Sequence, residues 1–235
     1  RQEMAEDYVR MGCAEVKKMK APGGKIKETS SKKILVVGGG MSGMTAALAA
    51  AEAGYEAVLV EKTGALGGFA KNLHKRVPFN GPYAEAQPTG VEEMAAQVNG
   101  NGKIKVYLNA TVTETAGAPG RFVVKIAAES GSVTEELCGA IVQATGFTTY
   151  PLDKLPELGG GQANVVDQAG LEALAKTANG GAIKRADGQE VKSVVFVQCA
   201  GQRGSGGNGS GEHLEYCSGH CCATSIKQAM YFKDQ

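Results

Sequence analysis

Four consecutive apolar residues, Ile34, Leu35, Val36 and Val37, read as a strand covered on both faces, because no polar position interrupts them. The stretch that follows carries alanine at 46, 47, 49, 50, 51 and 53, which combines high helix propensity with little bulk. Gly54 is placed to end that helix, and a second apolar run over 57–60 predicts a second strand. Further on, Met94, Ala95 and Val98 share one face of a short helix over 91–98. Alternation at Ile104, Val106 and Leu108 predicts a strand over 104–112, and two further alternating runs, 121–127 and 132–138, complete an antiparallel meander. Residues 140–144 form another apolar strand. Loop-like chain over 148–161, a helix over 168–177, a small hairpin around Ala186-Asp187-Gly188, an apolar strand over 191–198 and a helix over 221–232 follow.

The N-terminal segment, 1–20, carries Ala5, Tyr8, Val9, Gly12, Cys13, Val16 and Met19 on one helical face, which is expected to pack on something, with Cys13 in the core rather than the alternative, a ligand from an upstream domain. Residues 21–33, with Pro22, Gly23, Gly24 and several lysines, read as an exposed linker. The pattern divides into a helix and linker (1–32), a first α/β domain with the meander (33–150), and a partial second domain (151–235).

The turn between the first strand and its helix adds chemistry. Gly38, Gly40 and Gly43 stand in G-x-G-x-x-G spacing. Gly38 permits the tight turn, Gly40 a close approach of a pyrophosphate, and Gly43 close packing of helix on sheet. Met41 and Ser42 open the helix, whose free N–H groups and dipole favour phosphate. Glu61, 23 residues after Gly38, ends the second strand, where a carboxylate accepts from ribose hydroxyls. Strand, turn, helix and acid in this order make a mononucleotide-binding half of a Rossmann-like fold. After Lys62, Gly67 and Gly68 offer a second close backbone approach to the ligand, against the alternative of a plain loop. The irregular stretch 69–88 is expected to lie over the ligand, with Lys71 and Asn72 as polar contacts or solvated loop residues. His74 reads as a surface residue.

Composition changes this picture little. In 235 residues with 43% hydrophobic and 21% charged content, a soluble globular protein with a substantial core is expected. A net charge of +1 gives no general case for nucleic acid or an acidic membrane as partner, and no apolar run is long enough to span a bilayer. No signal-peptide pattern opens the chain; because it begins at Arg1, it reads as a fragment or processed piece.

The cysteines carry more. Cys199, Cys217, Cys221 and Cys222 fall within 24 residues, in the spacing C-x17-C-x3-C-C. Without secretion signals, such a cluster points to metal or redox chemistry in a reducing, cytoplasmic setting. Four thiolates match the number and softness of ligands for a [4Fe-4S] cluster. The last two open a helix, where the dipole favours thiolate. The alternatives are a structural zinc site, although paired C-x2-C knuckles are absent; a Cys217/Cys221 redox disulfide; or inert core thiols. About 20 residues separate Gln198 from Cys221, too many for a second phosphate turn, so 204–211 reads as a flexible insert.

Three motifs in order, Gly38 to Glu61, Gly67-Gly68, and the triplet Ala144-Thr145-Gly146 after a meander, resemble the two-dinucleotide-binding-domain flavoproteins. That resemblance implies FAD rather than NAD, held by Gly38, Gly40, Met41, Ser42, Gly43, Glu61, Lys62, Gly67, Gly68, Asn72, Thr111, Val112, Ala144, Thr145 and Gly146. FVQCAGQRG followed by HLEYCSGHCCATSIKQA looks like the A-type component of heterodisulfide reductase and its relatives in the quinone-interacting membrane-bound oxidoreductase complex. VRMGCAEV ahead of the flavin fingerprint extends the likeness over nearly the whole chain. It implies a [4Fe-4S] cluster on Cys199, Cys217, Cys221 and Cys222, electron transfer between FAD and that cluster, and other redox subunits as partners. The chain departs from the family in two ways. It stops soon after the cysteine helix, so the second nucleotide-like domain is incomplete, and ferredoxin-type C-x2-C-x2-C runs are absent. His220 matches no ligand position and is expected beside the ligands or in solvent. A pyridine-nucleotide-linked disulfide reductase and a non-catalytic scaffold are the other functions compatible with the sequence. No acid, base or nucleophilic triad stands out, since the three histidines are scattered.

Overall fold

Alternation along the first strand, β1 (Ile34–Val37), sends Leu35 to one face of a sheet and Val36 to the other, and both are fully buried. The computed structural model describes residues 2–20, 30–204 and 213–233. The chain forms two compact units, Arg1–Ser30 and Ser31–Gln235. The first consists of α1 (Gln2–Lys18), laced by Arg10 to Glu6 and Asp7, with no buried residue. Within this unit no core covers the expected apolar face: Tyr8, Val9, Val16 and Cys13 are exposed.

In the second unit a parallel sheet runs in the order β3-β2-β1-β7, formed by β1, β2 (Ala57–Val60), β3 (Ile104–Tyr107) and β7 (Ala140–Gln143). Helices α2 (Met41–Glu52) and α3 (Val91–Gly100) cover one face, where Val36, Ala57 and Leu59 meet Met44, Ala47 and Val98. A meander of β4 (Ala110–Ala118), β5 (Arg121–Ala128) and β6 (Val133–Cys138) covers the other, where Leu35, Val58 and Val60 meet Val124, Ile126 and Cys138. Two covered faces explain why the strands show no polar alternation. α2 ends as the glycine predicts: Gly54, at φ +92°, donates to Ala51 O and Tyr55 N donates to Ala50 O, a Schellman pair.

Two predicted strands need correction. The run over 104–112 is broken at Leu108 and Asn109: Asn109 takes φ +48° and lets the chain leave the parallel sheet for the meander. Residues 191–198 pair with nothing as a strand, and Val195 is 86% exposed. Apolar alternation defines a strand only where a neighbour supplies a ladder of hydrogen bonds, and beyond Val191 N, which donates to Ile183 O, no ladder runs along this segment among the described residues. The proposed linker residues 21–29 and most of the insert over 204–211 lie outside the described residues.

One carboxylate fastens the meander to the sheet. Glu136 of β6 is 7% exposed and accepts from Lys33 Nζ (2.7 Å), Lys105 Nζ (2.9 Å) and the Tyr107 hydroxyl (2.8 Å). Burial alone would raise its pKa, but these donors overcome burial and bring it from 4.5 down to about 2. A depressed carboxylate stabilises the fold fully above its ordinary pKa, and that contribution disappears as pH falls from about 4.5 towards 2. Glu136→Gln is expected to cost about 2 kcal/mol at pH 7, with the gap to wild type shrinking by about pH 3, as read by denaturant unfolding at both pH values.

The other polar network lies within a smaller core of α4 (Gln168–Ala178) and α5 (Cys221–Lys233), where Leu171, Ala175, Ile183 and Tyr231 are buried. Asp167 caps α4, its carboxylate accepting from Gly170 N at 2.7 Å. His74, expected at the surface, is half-buried here: its N–H donates to Glu172 (2.9 Å) and its ring meets the edge of Tyr231 at 5.2 Å. Burial, then the nearby Lys75 charge, lowers its pKa. Among the described residues no helix is long and apolar enough to cross a membrane.

Candidate functional site

The three glycines of the turn are each accounted for by geometry. A Cβ at Gly43 would lie 1.8 Å from the Gly38 carbonyl oxygen, so only glycine lets α2 approach the end of β1. Gly38, at φ +106°, would place a Cβ 2.2 Å from Ala144 O, and Ala144 N donates to Val37 O at 2.8 Å. The first strand and the Ala144-Thr145-Gly146 triplet after β7 therefore meet at the sheet's carboxyl edge. Gly40 differs: a Cβ there would meet nothing closer than Gly68 Cα at 3.9 Å. Gly40 also caps α2 with no side-chain hydrogen bond, so no side chain competes for the first-turn N–H groups, which at a helix start face outward toward an acceptor.

Gly67 and Gly68 lie against this turn. Gly67 N donates to Gly39 O at 2.8 Å, and a Cβ on Gly68 would come 2.9 Å from Gly40 Cα. Their lack of side chains is thus needed for loop-on-loop packing whether or not a ligand is present. Lys71 and Asn72 close the short 3-10 helix Gly68–Asn72 and are exposed; Lys176 Nζ donates to Lys71 O. Lys62 is also exposed.

Glu61 ends β2 as expected, yet it is 6% exposed and already accepts from Gly39 N (2.6 Å), Thr63 N (2.8 Å) and Thr63 Oγ1 (2.9 Å). A carboxylate offers about four lone-pair sites, so one remains for a ribose hydroxyl. Thr111 and Val112 enter the neighbourhood through β4, whose first residue donates to Glu61 O, while Asn109 N donates to Thr63 O. A solvent-open hollow of about 460 Å³ lined by Leu48, Glu52, Gln97 and Lys103 involves none of these residues and lies at the opposite end of α2 from the glycine turn.

The chain after the triplet connects this crevice to the cysteines. Phe147 packs on Phe69, the residue after Gly68 (centroids 4.9 Å), and on His220, the residue before Cys221 (5.9 Å). Tyr150 lies over Gly201, where a Cβ would come 2.4 Å from its ring, and its hydroxyl is 2.8 Å from His213 Nδ1. These aromatic bridges are absent from any local motif, although aromatics immediately flanking Gly68, Gly146 and Cys221 were the available signal.

All four clustered cysteines are free thiols. Cys199 adopts φ +57°, which costs a non-glycine residue about 1–2 kcal/mol. The turn after it is sewn to the segment carrying Cys217: Leu214 N donates to Gly201 O, Arg203 N to Tyr216 O, and Ser218 N to Gln202 Oε1. Gln168 Nε2 donates to Cys221 O (2.7 Å) and Ser225 Oγ (2.9 Å), fixing the start of α5 against α4. Gly219 N donates to Cys217 Sγ at 3.3 Å. The Ser218 hydroxyl, then the Cys222 thiol and the Cys199 backbone N–H, favour thiolate at Cys221 and hold its pKa below the ordinary thiol value against the effect of burial. The hydrogen bond its thiol makes to Cys221, and then the negative charge there, raise the pKa of Cys222. Among the described residues, however, no three His, Cys, Asp or Glu side chains converge tightly enough to hold a single metal ion. A tetrahedral zinc site, with Zn–S of about 2.3 Å, demands that convergence, whereas the thiolates of a cubane each bind a different iron.

Residues 33–204 match the family described as FAD dependent oxidoreductase. The chain is 26% identical to the second A-type iron-sulfur component of CoB–CoM heterodisulfide reductase in Methanopyrus kandleri, over 99% of this chain and 46% of that protein. It is 24% identical to the A-type component of the H(2):CoB-CoM heterodisulfide,ferredoxin reductase of Methanothermobacter marburgensis, with the same coverage. The chain thus spans less than half the length of these relatives. Among solved structures it is similar to a thioredoxin reductase of T. acidophilum, at 17% identity and a TM-score of 0.41, over 52% of this chain and 38% of that one. With the glycine turn, the strand-end acid and the Ala-Thr-Gly triplet all within the matched residues, the chain belongs to the FAD-dependent oxidoreductase family.

Proposed function

We propose that this chain is an electron-transfer module that holds FAD along the glycine crevice and a [4Fe-4S] cluster on Cys199, Cys217, Cys221 and Cys222, within a heterodisulfide-reductase-like complex of redox subunits. The observation that carries this reading is the Phe69–Phe147–His220 contact, which joins the glycine loop, the Ala-Thr-Gly strand end and the cysteine helix. When bound, FAD supplies two-electron chemistry and the cluster one-electron chemistry.

The chain's own groups divide the work of binding. First-turn N–H groups of Met41, Ser42 and Gly43 receive the pyrophosphate, Gly40 leaves the room for it, and Glu61 takes the ribose. Gly67, Gly68, Lys62 and Asn72 border the crevice from one loop, Thr111 and Val112 from the meander, and Ala144, Thr145 and Gly146 from β7. At the other centre, the thiolate-stabilising donors are already in place: the N–H of Gly219 on Cys217, and the dipole of α5 at Cys221 and Cys222. Phe147 and Tyr150 hold the separation of the two sites, which decides the rate of electron exchange.

Anaerobic reconstitution of the whole chain tests this directly. One flavin and about four irons per chain are expected. Cys221→Ser is expected to lose most of the iron while keeping the flavin. Flavin without iron, together with a titratable Cys217/Cys221 dithiol, would replace the cluster reading with disulfide reduction; a colourless protein would overturn both.

A further inference from the structure

Met4, Tyr8, Val9, Met11, Val16 and Met19 lie on α1 or directly after it, and each is more than half exposed. A helix of 17 residues with a glycine near its middle gains little stability in water from its own backbone; such a helix is held by burial of one face. No residue of α1 is buried. The period of its apolar positions identifies the cover that suits them. Ala5, Val9, Gly12, Val16 and Met19 stand at alternating steps of four and three, a 3.5-residue repeat that forms the seam of a helix pair. Gly12, central among the five, has no heavy atom within 4 Å of where a Cβ would sit, so a partner's side chain can settle on its backbone.

Charge selects the partner. Glu3, Glu6 and Asp7 give residues 2–9 acids alone, whereas residues 10–18 carry Arg10, Lys17 and Lys18 against one acid, Glu15. This distribution also suits the helix dipole, and Arg10 reaches Glu6 and Asp7 within the helix, but neither effect covers an apolar side chain. A second copy laid antiparallel sets each acidic half beside a basic half, while a parallel copy sets like charge on like. In the antiparallel register that places Val9 of one copy opposite Gly12 of the other, Ala5 meets Val16, so large side chains face small ones and two-fold symmetry repeats every contact. We propose that α1 pairs antiparallel with α1 of a second copy of this chain, which makes the chain a weak homodimer through its N-terminal unit. The pairing requires neither flavin nor iron.

Sedimentation equilibrium of the full chain at concentrations from about 1 to 100 μM tests this. The wild-type chain is expected to pass from monomer to dimer over that range. Val9→Glu/Val16→Glu, which sets carboxylates in the seam, is expected to weaken association by about a hundredfold or more. Lys17→Glu/Lys18→Glu makes both halves of the helix acidic, and Glu3→Lys/Glu6→Lys makes both basic. Each alone is expected to associate about tenfold more weakly than wild type, and an equimolar mixture of the two to recover wild-type association as a heterodimer. A dimer that Val9→Glu/Val16→Glu leaves intact has its interface elsewhere and overturns the proposal. A wild-type chain that stays monomeric throughout also overturns it and gives the seam to another protein. Charge variants that each associate as wild type does would overturn the antiparallel arrangement, because a parallel pair sets like halves together before and after the change.

Discussion

Glu172→Leu is expected to lower the unfolding free energy by about 3–5 kcal/mol, the largest effect of any single substitution outside the glycine turn. Glu172 is 1% exposed and Lys227, its partner at 2.8 Å, is 5% exposed, so removing the carboxylate strands an ammonium group in the interior. The loss extends beyond charge. Glu172 also accepts from His74 N (2.9 Å), Gln228 Nε2 (2.9 Å) and the Tyr231 hydroxyl (3.1 Å), and so ties α4, α5 and the chain around His74 into one unit. Lys227 in turn donates to Lys75 O. The double variant Glu172→Leu/Lys227→Met removes the unpaired charge but still deprives His74 N and Gln228 of their acceptor. Denaturant unfolding is therefore expected to show it recovering about half of the loss. Since α5 begins at Cys221, the same substitution loosens the cysteine helix, and iron uptake is expected to weaken in parallel.

The second large effect separates packing from binding at the glycine turn. Gly43→Ala puts a methyl carbon 1.8 Å from Gly38 O, which the backbone can relieve only by moving α2 off the sheet. A cost of about 3 kcal/mol and a flavin affinity weaker by about tenfold or more are expected together. Gly40→Ala meets nothing closer than 3.9 Å, and Gly40 has an ordinary negative φ of −76°, so its stability is expected to stay within about 0.5 kcal/mol of wild type. Its methyl group nevertheless enters the space kept for the phosphates, and flavin retention on desalting is expected to fall about tenfold or more. Equal flavin retention by Gly40→Ala and wild type would remove the pyrophosphate from this turn.

These two cases also mark where reading residues in a row succeeds. Strand β1, helix α2, strand β2 and the acid at their end are legible because one short connected segment contains the whole device, and its glycines have local steric reasons. The cysteine helix is legible for the same reason. Residues 191–198 mislead because a strand is defined by its neighbour, and apolar alternation carries no information about whether one is present. His74 and Glu172 are invisible as interior residues: a polar side chain is buried only when partners remote in the chain close around it, as Lys227, Gln228 and Tyr231 do.

The amino-acid order alone determined a βαβ unit with its phosphate turn, a meander returning to an Ala-Thr-Gly strand end, and four thiols of which two open a helix. Each follows from covalent neighbours acting over one or two turns of chain. Only the tertiary structure decided that Phe147 touches both Phe69 and His220, that Glu61 is already tied to Gly39, and that Glu172 and Lys227 close a buried network with His74. Those facts depend on distances between segments far apart in the chain, and such distances are set by packing, not by spacing.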